Sequence, residues 1–203
     1  MRLLLLLAVV CCVILSSIAA LGQSQVSADK FRYIEVSGNK IKTTHTAKYD
    51  ITVDRGFKLI GQMEHQPVYD KKQFNVSFAA YSKGPNLIMV HAETHTDGTG
   101  GLDYSNLKPA TLSRLPFTWR EQCATPEDDD ELGSNPQIQF LRTSGFDMPT
   151  PFYMRQLFTT SPDGTAEMVI SYGRRIESCD KLTDEFRLSI EKEMAKAVRV
   201  KKA

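Results

Sequence analysis

The segment from Phe74 to Asp97 constrains the fold most, because it alternates as two strands around one turn. Apolar residues fall at every second position in its first half, which is the period of a β-strand with one buried face. Gly84 and Pro85 then supply turn geometry, and the extended pattern resumes at Leu87. The sequence therefore predicts a β-hairpin at the centre of the chain.

The second strand of this hairpin carries His91, Glu93 and His95 at alternate positions. Side chains two residues apart on a strand point the same way, about 6–7 Å apart, so the three form one row. Two imidazoles and a carboxylate are ligands for a transition metal such as zinc, and an open fourth position would leave room for a water that zinc makes nucleophilic. In a metal-dependent enzyme, His45 or His65 would join this row from a neighbouring strand. A solvated strand face is the alternative, and it is favoured because H-x-E-x-H on a strand lacks the specificity of helical H-E-x-x-H.

Residues 1–22 have the composition of a secretory signal peptide. Arg2 is followed by the apolar run Leu3 to Leu15 and by small residues up to Gly22. This leader predicts a secreted or periplasmic protein. A retained membrane anchor is the alternative, because the apolar run approaches the minimum length of a membrane span.

The chain that follows the leader is electrically neutral overall. Arg2 is the one charged residue of the leader, so residues 23–203 carry 24 basic and 24 acidic residues. A general nucleic-acid binder needs a net basic surface, so this class is excluded, and electrostatic membrane binding is not expected. The length suits one β-rich globular domain over residues 23–203.

Two cysteines remain once the leader is removed, because Cys11 and Cys12 belong to it. Cys123 and Cys179 are expected to pair in an exported chain, since their spacing matches neither C-x-x-C nor a zinc motif. A disulfide between Cys123 and Cys179 would stabilise the fold by about 4 kcal/mol, because it restricts the conformations of the unfolded chain.

Further extended segments are separated by short turns rich in glycine, proline and asparagine. The strands predicted outside the central hairpin cover residues 31–36, 41–53, 57–63, 117–122, 137–141, 152–160 and 166–176. Residues 104–116 contain Pro109 and Pro116 and are interpreted as a connection. Ser161-Pro162-Asp163-Gly164-Thr165 predicts a second hairpin turn, since proline presets one turn dihedral and glycine accepts a positive φ.

The C-terminal segment, residues 181–200, has a different period. Leu182, Phe186, Ile190 and Met194 recur at helical spacing among Glu and Lys residues, which predicts one amphipathic helix. The predicted fold class is therefore α+β, mainly an antiparallel sheet in the form of a curved or barrel-like meander, with the C-terminal helix packed on it.

The sequence favours binding over catalysis. It has no G-x-S-x-G elbow, no phosphate-binding P-loop and no dinucleotide-binding glycine motif. The prediction is an exported binding protein that holds a small molecule in the concavity of the sheet, or a protein partner. Tyr81, Trp119 and Tyr153 are the candidate lining residues, since aromatic side chains dominate such sites.

Two other classes of function remain open. One is a metal-dependent enzyme that uses the His91, Glu93 and His95 row, and a transition metal is the one cofactor for which the sequence offers ligands. The other is a structural or accessory component of an extracellular or envelope assembly, with the C-terminal helix as a contact surface.

Overall fold

The computed structural model describes residues 32–69, 71–125, 128, 133–148 and 150–203. The predicted signal peptide, residues 1–22, lies outside this described part. Helix α1 spans Pro136–Thr143 and helix α2 spans Asp184–Ala197. The strands, numbered in chain order, are β1 Ile34–Ser37, β2 Lys40–Thr43, β3 Tyr49–Val53, β4 Lys58–His65, β5 Val68–Tyr69, β6 Lys72–Lys83, β7 Asn86–His95, β8 Lys108–Leu112, β9 Leu115–Ala124, β10 Phe152–Thr160, β11 Ala166–Arg175 and β12 Val198–Lys202.

These strands form two antiparallel sheets. The larger sheet has the order β4-β6-β7-β11-β10-β9-β8, with β5 paired to β6, and the smaller sheet has the order β1-β2-β3-β12. Both predicted hairpins are present, as β6–β7 and β10–β11. The predicted α+β class with a C-terminal helix packed on antiparallel sheet is confirmed, and the two sheets stay open instead of closing on themselves.

The larger sheet is covered on both faces. One face packs against the smaller sheet and helix α2, in a core that includes Val90, Ile170 and Ile190. We call it the α2 face. The opposite face, the α1 face, packs against helix α1 through Ile138 and Leu141 and against the loop that follows that helix. Because side chains alternate along a strand, the neighbouring residues of β7 and β11 point to opposite covers.

Helix α1 replaces the strand predicted over residues 137–141. The Asn135 side chain accepts a hydrogen bond from the backbone N–H of Gln137 at 2.9 Å, and Pro136 occupies the first turn, where its missing N–H costs nothing. The ring of Phe140 packs directly over Gly61 of β4, where a Cβ atom would lie 2.8 Å from the ring. The strand prediction was wrong because it rested on the short apolar run and gave no weight to the helix-cap residues Asn135 and Pro136.

Strand β8 replaces the connection predicted over residues 104–116. It pairs with β9 through the turn at Ser113 and Arg114, both of which have positive φ, as tight hairpin turns require. Pro109 is tolerated because β8 is an edge strand, where one side of the backbone needs no ladder hydrogen bond.

The C-terminal helix is shorter than the predicted 181–200. Thr183 caps it by accepting a hydrogen bond from the N–H of Phe186, and the helix ends at Ala197. Residues Val198–Lys202 then form strand β12, which pairs with β3, because the β-branched Val198 and Val200 alternate with exposed cations. No helix in the described part of the chain is long and apolar enough to cross a membrane.

Candidate functional site

The row of His91, Glu93 and His95 lies on the α1 face of strand β7, where all three residues are buried. Their exposed fractions are 7%, 4% and 4%. The favoured expectation of a solvated strand face is therefore wrong. Phe78 packs against His91 with ring centroids 5.0 Å apart, and Phe74 packs against His95 at 4.5 Å. This face of the sheet is closed to bulk water by aromatic side chains.

His91 and Glu93 form a buried pair. The Nδ1 atom of His91 lies 2.8 Å from Oε1 of Glu93, and the Nε2 atom of His91 is buried without a hydrogen-bond partner. His95 is directed elsewhere, since its Nδ1 donates to the carbonyl oxygen of Thr99 at 2.9 Å. The described residues contain no group of three or more His, Cys, Asp or Glu side chains placed to hold a metal ion. Metal binding at this row stays a prediction.

A second buried carboxyl group faces the first across the sheet. Glu167 of β11 is directly opposite Glu93 of β7 in the antiparallel register, and it is 3% exposed. Burial raises the pKa of the Glu167 carboxyl to about 8, and the negative charge of Glu93 contributes in the same direction. The Tyr104 hydroxyl donates a short hydrogen bond to Glu167 Oε2. Glu167 is therefore largely protonated at neutral pH.

The other two histidines considered as metal ligands are also held by hydrogen bonds. His65 lies at the end of β4, and its Nε2 is 2.9 Å from the side-chain nitrogen of Gln137 in helix α1. Burial lowers the pKa of His65 to about 4, with a further contribution from His91. His45 Nε2 donates to the backbone oxygen of Glu167 at 2.7 Å, and burial lowers its pKa. Both imidazoles are neutral at neutral pH.

The three aromatic residues predicted to line a ligand cavity occupy different places. Tyr81 and Tyr153 are buried in the core on the α2 face, and their hydroxyls donate to the Gly38 backbone and to Glu121. Trp119 is half-buried, with the guanidinium of Arg155 stacked 3.8 Å from a ring centroid. The structure gives the two tyrosines a packing role, and ligand binding by the three residues stays a prediction.

The predicted disulfide between Cys123 and Cys179 is confirmed, with a Cα–Cα distance of 5.9 Å. It joins strand β9 to the 3₁₀ turn Cys179–Lys181, which leads into helix α2. Strand β11 ends at Arg175, only a few residues before this bond. The bond therefore fixes one side of an open groove between the end of β11 and the start of α2.

We call this feature the Arg175 groove, and its volume is about 690 Å³. Its walls combine proline rings and aliphatic and aromatic side chains with several charged groups. The lining residues are Pro85, Pro151, Arg174, Arg175, Ile176, Glu177, Ser178, Lys181, Leu182 and Phe186. Three cations against one carboxylate give the groove a net positive charge, and its volume is within the range of small-molecule sites.

The cations of the Arg175 groove differ in how they are paired. Arg174 donates to Glu193 of helix α2 at 2.9 Å, and Lys181 donates to Glu177 at 3.1 Å. The side chain of Arg175 is exposed and has no hydrogen-bond or ion-pair partner in the described part of the chain. A guanidinium with five free donors beside an apolar wall is suited to bind a carboxylate or phosphate group.

The sequence gives little signal for this groove. Its residues come from four separate segments, which meet only because the disulfide and helix α2 fold back onto the end of β11. In the sequence, the groove is indicated by the pair Arg174-Arg175 at the end of a predicted strand. None of His91, Glu93 and Glu167 lines the groove, so the buried cluster and the groove are separate.

Comparisons with protein families, with curated proteins and with solved structures find no match to this chain.

Proposed function

We propose that this protein is an exported binding protein that holds a small anionic amphiphile in the Arg175 groove. The observation that carries the proposal is the exposed, unpaired guanidinium of Arg175 beside the apolar side chains of Ile176, Leu182 and Phe186. An acidic head group would bind the guanidinium, and an alkyl chain would bury apolar surface against the wall, at about 25 cal/mol per Å².

Rigidity of the groove supports this function. The Cys123–Cys179 disulfide anchors the turn that carries Lys181, and Phe186 packs edge-on against the core residue Tyr153 with ring centroids 5.3 Å apart. A site built on anchored elements loses little conformational freedom when it binds, so more of the contact energy appears as affinity. The disulfide also fits an oxidising compartment, in keeping with the predicted leader.

The test is a calorimetric titration of the delipidated full chain with three amphiphiles of the same alkyl chain. Dodecanoate, dodecanol and dodecylamine carry a negative, a neutral and a positive head group. We expect dodecanoate to bind at least about tenfold more tightly than dodecanol, which corresponds to about 1.4 kcal/mol, and dodecylamine to bind most weakly.

The matched variants are Arg175→Glu and Arg55→Glu. Both replace an exposed arginine whose side chain has no hydrogen-bond or ion-pair partner among the described residues, and Arg55 lies in the turn between β3 and β4, outside the groove. Arg175→Glu should remove the preference for the carboxylate, and Arg55→Glu should keep it. Equal affinity for the three amphiphiles, or equal loss in both variants, would refute the proposal.

A metal-dependent enzyme is the second candidate, and one observation favours it. Glu93 holds Nδ1 of His91 while Nε2 of the same ring is buried without a partner, which is how a metal-ligating histidine is often oriented. Elemental analysis of protein purified without a histidine tag tests it. Near-stoichiometric zinc that is lost in His91→Ala would support this candidate, and its absence would leave the binding function.

A further inference from the structure

The smaller sheet has one buried face and one exposed face. Its inward residues pack on the α2 face of the larger sheet, while its outward residues form two rows across the strands. The register places them in these rows: Ser37, Lys40, Thr52 and Arg199 in the first, and Glu35, Lys42, Asp50 and Lys201 in the second. We call these eight residues the basic face.

The pairing register sets the spacing of the cations. Lys40 and Arg199 both lie opposite Thr52, on the strands that flank β3, so their backbones are about 10 Å apart. Lys42 and Lys201 flank Asp50 in the same way. Within one strand the two cations are two residues apart, about 7 Å. The four cations therefore mark the corners of a rectangle of about 7 by 10 Å.

Most of this positive charge is unpaired. Lys201 contacts Asp50 at 3.4 Å, but the side chains of Lys40, Lys42 and Arg199 have no hydrogen-bond or ion-pair partner among the described residues. Four cations against two carboxylates give the face a net charge of +2, whereas the full chain has a formal net charge of only +1. This exposed surface is thus more positive than the chain as a whole.

We propose that the basic face binds an extended anionic polysaccharide that carries sulfate or carboxylate groups. The face has no apolar side chain that would insert into a membrane and no aromatic side chain on which nucleic-acid bases would stack. The hydroxyl of Thr52 lies between Lys40 and Arg199, and the hydroxyl of Ser37 lies beside Lys40 on the edge strand, so both are suited to hydrogen-bond sugar hydroxyls. The disulfide fits an oxidising compartment, where such polymers occur.

The binding is electrostatic, so it depends on salt. A linear polyanion releases condensed counterions when cations neutralise its charges, and the logarithm of the affinity falls linearly with the logarithm of salt concentration. Each engaged cation adds about one unit to that slope. This dependence distinguishes the basic face from the Arg175 groove, where an apolar chain carries part of the affinity.

The experiment measures binding of a heparin fragment to the full chain over a range of salt concentrations. The test variant is Lys40→Ser with Arg199→Ser. The control is Lys72→Ser with Arg142→Ser, which removes the same charge from the other side of the molecule, because Lys72 shares the side of β6 with Phe74 and Arg142 belongs to helix α1. We expect the test variant to bind at least tenfold more weakly with a slope lower by about two, and the control to bind like the wild type.

Three results would overturn the proposal. The first is no binding of heparin by the wild type, or equal affinity of the test variant and the wild type. The second is loss of heparin binding in Arg175→Glu, which would move the polyanion to the groove. The third is displacement of heparin by single-stranded DNA at equal charge concentration, which would make the partner a nucleic acid. Melting curves of both variants should coincide with the wild type, since the replaced side chains are exposed.

Discussion

The two faces of the larger sheet are built from the same strands but bury different chemistry. On the α2 face, strands β7 and β11 contribute apolar residues such as Val90 and Ile170. On the α1 face, the next residues along the same strands include His91, Glu93 and Glu167. The residues named on both faces are buried, so the difference is in the free energy that burial of each side chain gains or costs. Burial of apolar groups stabilises the folded state, whereas burial of ionisable groups destabilises it because they lose hydration.

This difference divides the roles of the faces. The α2 face holds the apolar residues that connect the two sheets and helix α2, so it should determine how stable the fold is. The α1 face holds groups whose pKa values are displaced by burial, so it should determine how that stability changes with pH. Substitutions on each face can separate the two roles.

The largest effect is expected from Ile170→Ala on the α2 face. Ile170 is completely buried between Val90 and Leu157, and loss of three methyl or methylene groups leaves a cavity that close packing cannot fill. Urea unfolding at constant pH should show a loss of about 2–5 kcal/mol. The control is Leu188→Ala on the exposed side of helix α2, with a loss of at most about 0.5 kcal/mol. Similar losses in the two variants would contradict the assignment of the core.

The second-largest effect is expected at the disulfide that joins strand β9 to the turn before helix α2. The paired substitution Cys123→Ala and Cys179→Ala opens a loop with a sequence separation of 56 residues. Urea unfolding should show a loss of about 4 kcal/mol, because the unfolded chain gains freedom. The same loss should follow from reduction of the wild type. If the paired variant instead lost less than about 1 kcal/mol, restriction of the unfolded chain would not be the source of stability.

The sequence predicted the faces of individual strands better than it predicted what covers them. Alternation located both hairpins, because side-chain direction on a strand depends only on local geometry. The cover over the α1 face comes from helix α1 and the loop that follows it, which the local period of a strand does not reveal. A signal was present in the continuous apolar run Leu87 to Val90, since a strand that is apolar on both sides is covered on both sides.

The sites were predicted less well than the fold for a related reason. His91, Glu93 and His95 do share one face, as the alternation indicated, yet their hydrogen bonds lead to different partners. The Arg175 groove and the basic face both depend on which strands are neighbours. Lys40 and Arg199 are far apart in the sequence and meet only through β3, so no local pattern joins them.

The third prediction tests the α1 face through pH. The pKa of Glu167 is about 8 in the folded protein and 4.5 in a solvated chain, so the folded state binds more protons between these values. The contribution of this carboxyl to stability is therefore fully present below about pH 4.5 and is lost as pH rises through 8. Glu167→Gln mimics the protonated carboxyl, and it should gain about 2–4 kcal/mol at pH 8 and nothing near pH 4.5.

Unfolding at a series of pH values measures this difference, with Glu35→Gln at an exposed site as the control. The His65 imidazole acts in the opposite direction, because its pKa is lowered to about 4 and the unfolded chain takes up a proton below 6.5. The contribution of His65 to stability should therefore fall as pH drops from 6.5 to 4. In the wild type the contribution of Glu167 rises over the part of this range above pH 4.5, so Glu167→Gln should make the loss of stability on the acid side steeper. A gain in Glu167→Gln that is independent of pH would show that the carboxyl is not responsible.

The smallest effect is expected at Thr118, which lies on the α1 side of strand β9, opposite Phe158 in the register. Its hydroxyl is buried without a hydrogen-bond partner among the described residues, and this part of the chain lines a shallow groove beside Tyr104. A buried hydroxyl that has lost its water without replacement costs free energy. Thr118→Val keeps the shape and the β-branch, so urea unfolding should show a gain of about 1 kcal/mol.

The same substitution at Thr52, which is solvent-accessible on the smaller sheet, should change stability by less than about 0.5 kcal/mol. A loss of stability in Thr118→Val would mean that the hydroxyl has a partner in solution, such as a bound water, and that the α1 face is less dry than the α2 face.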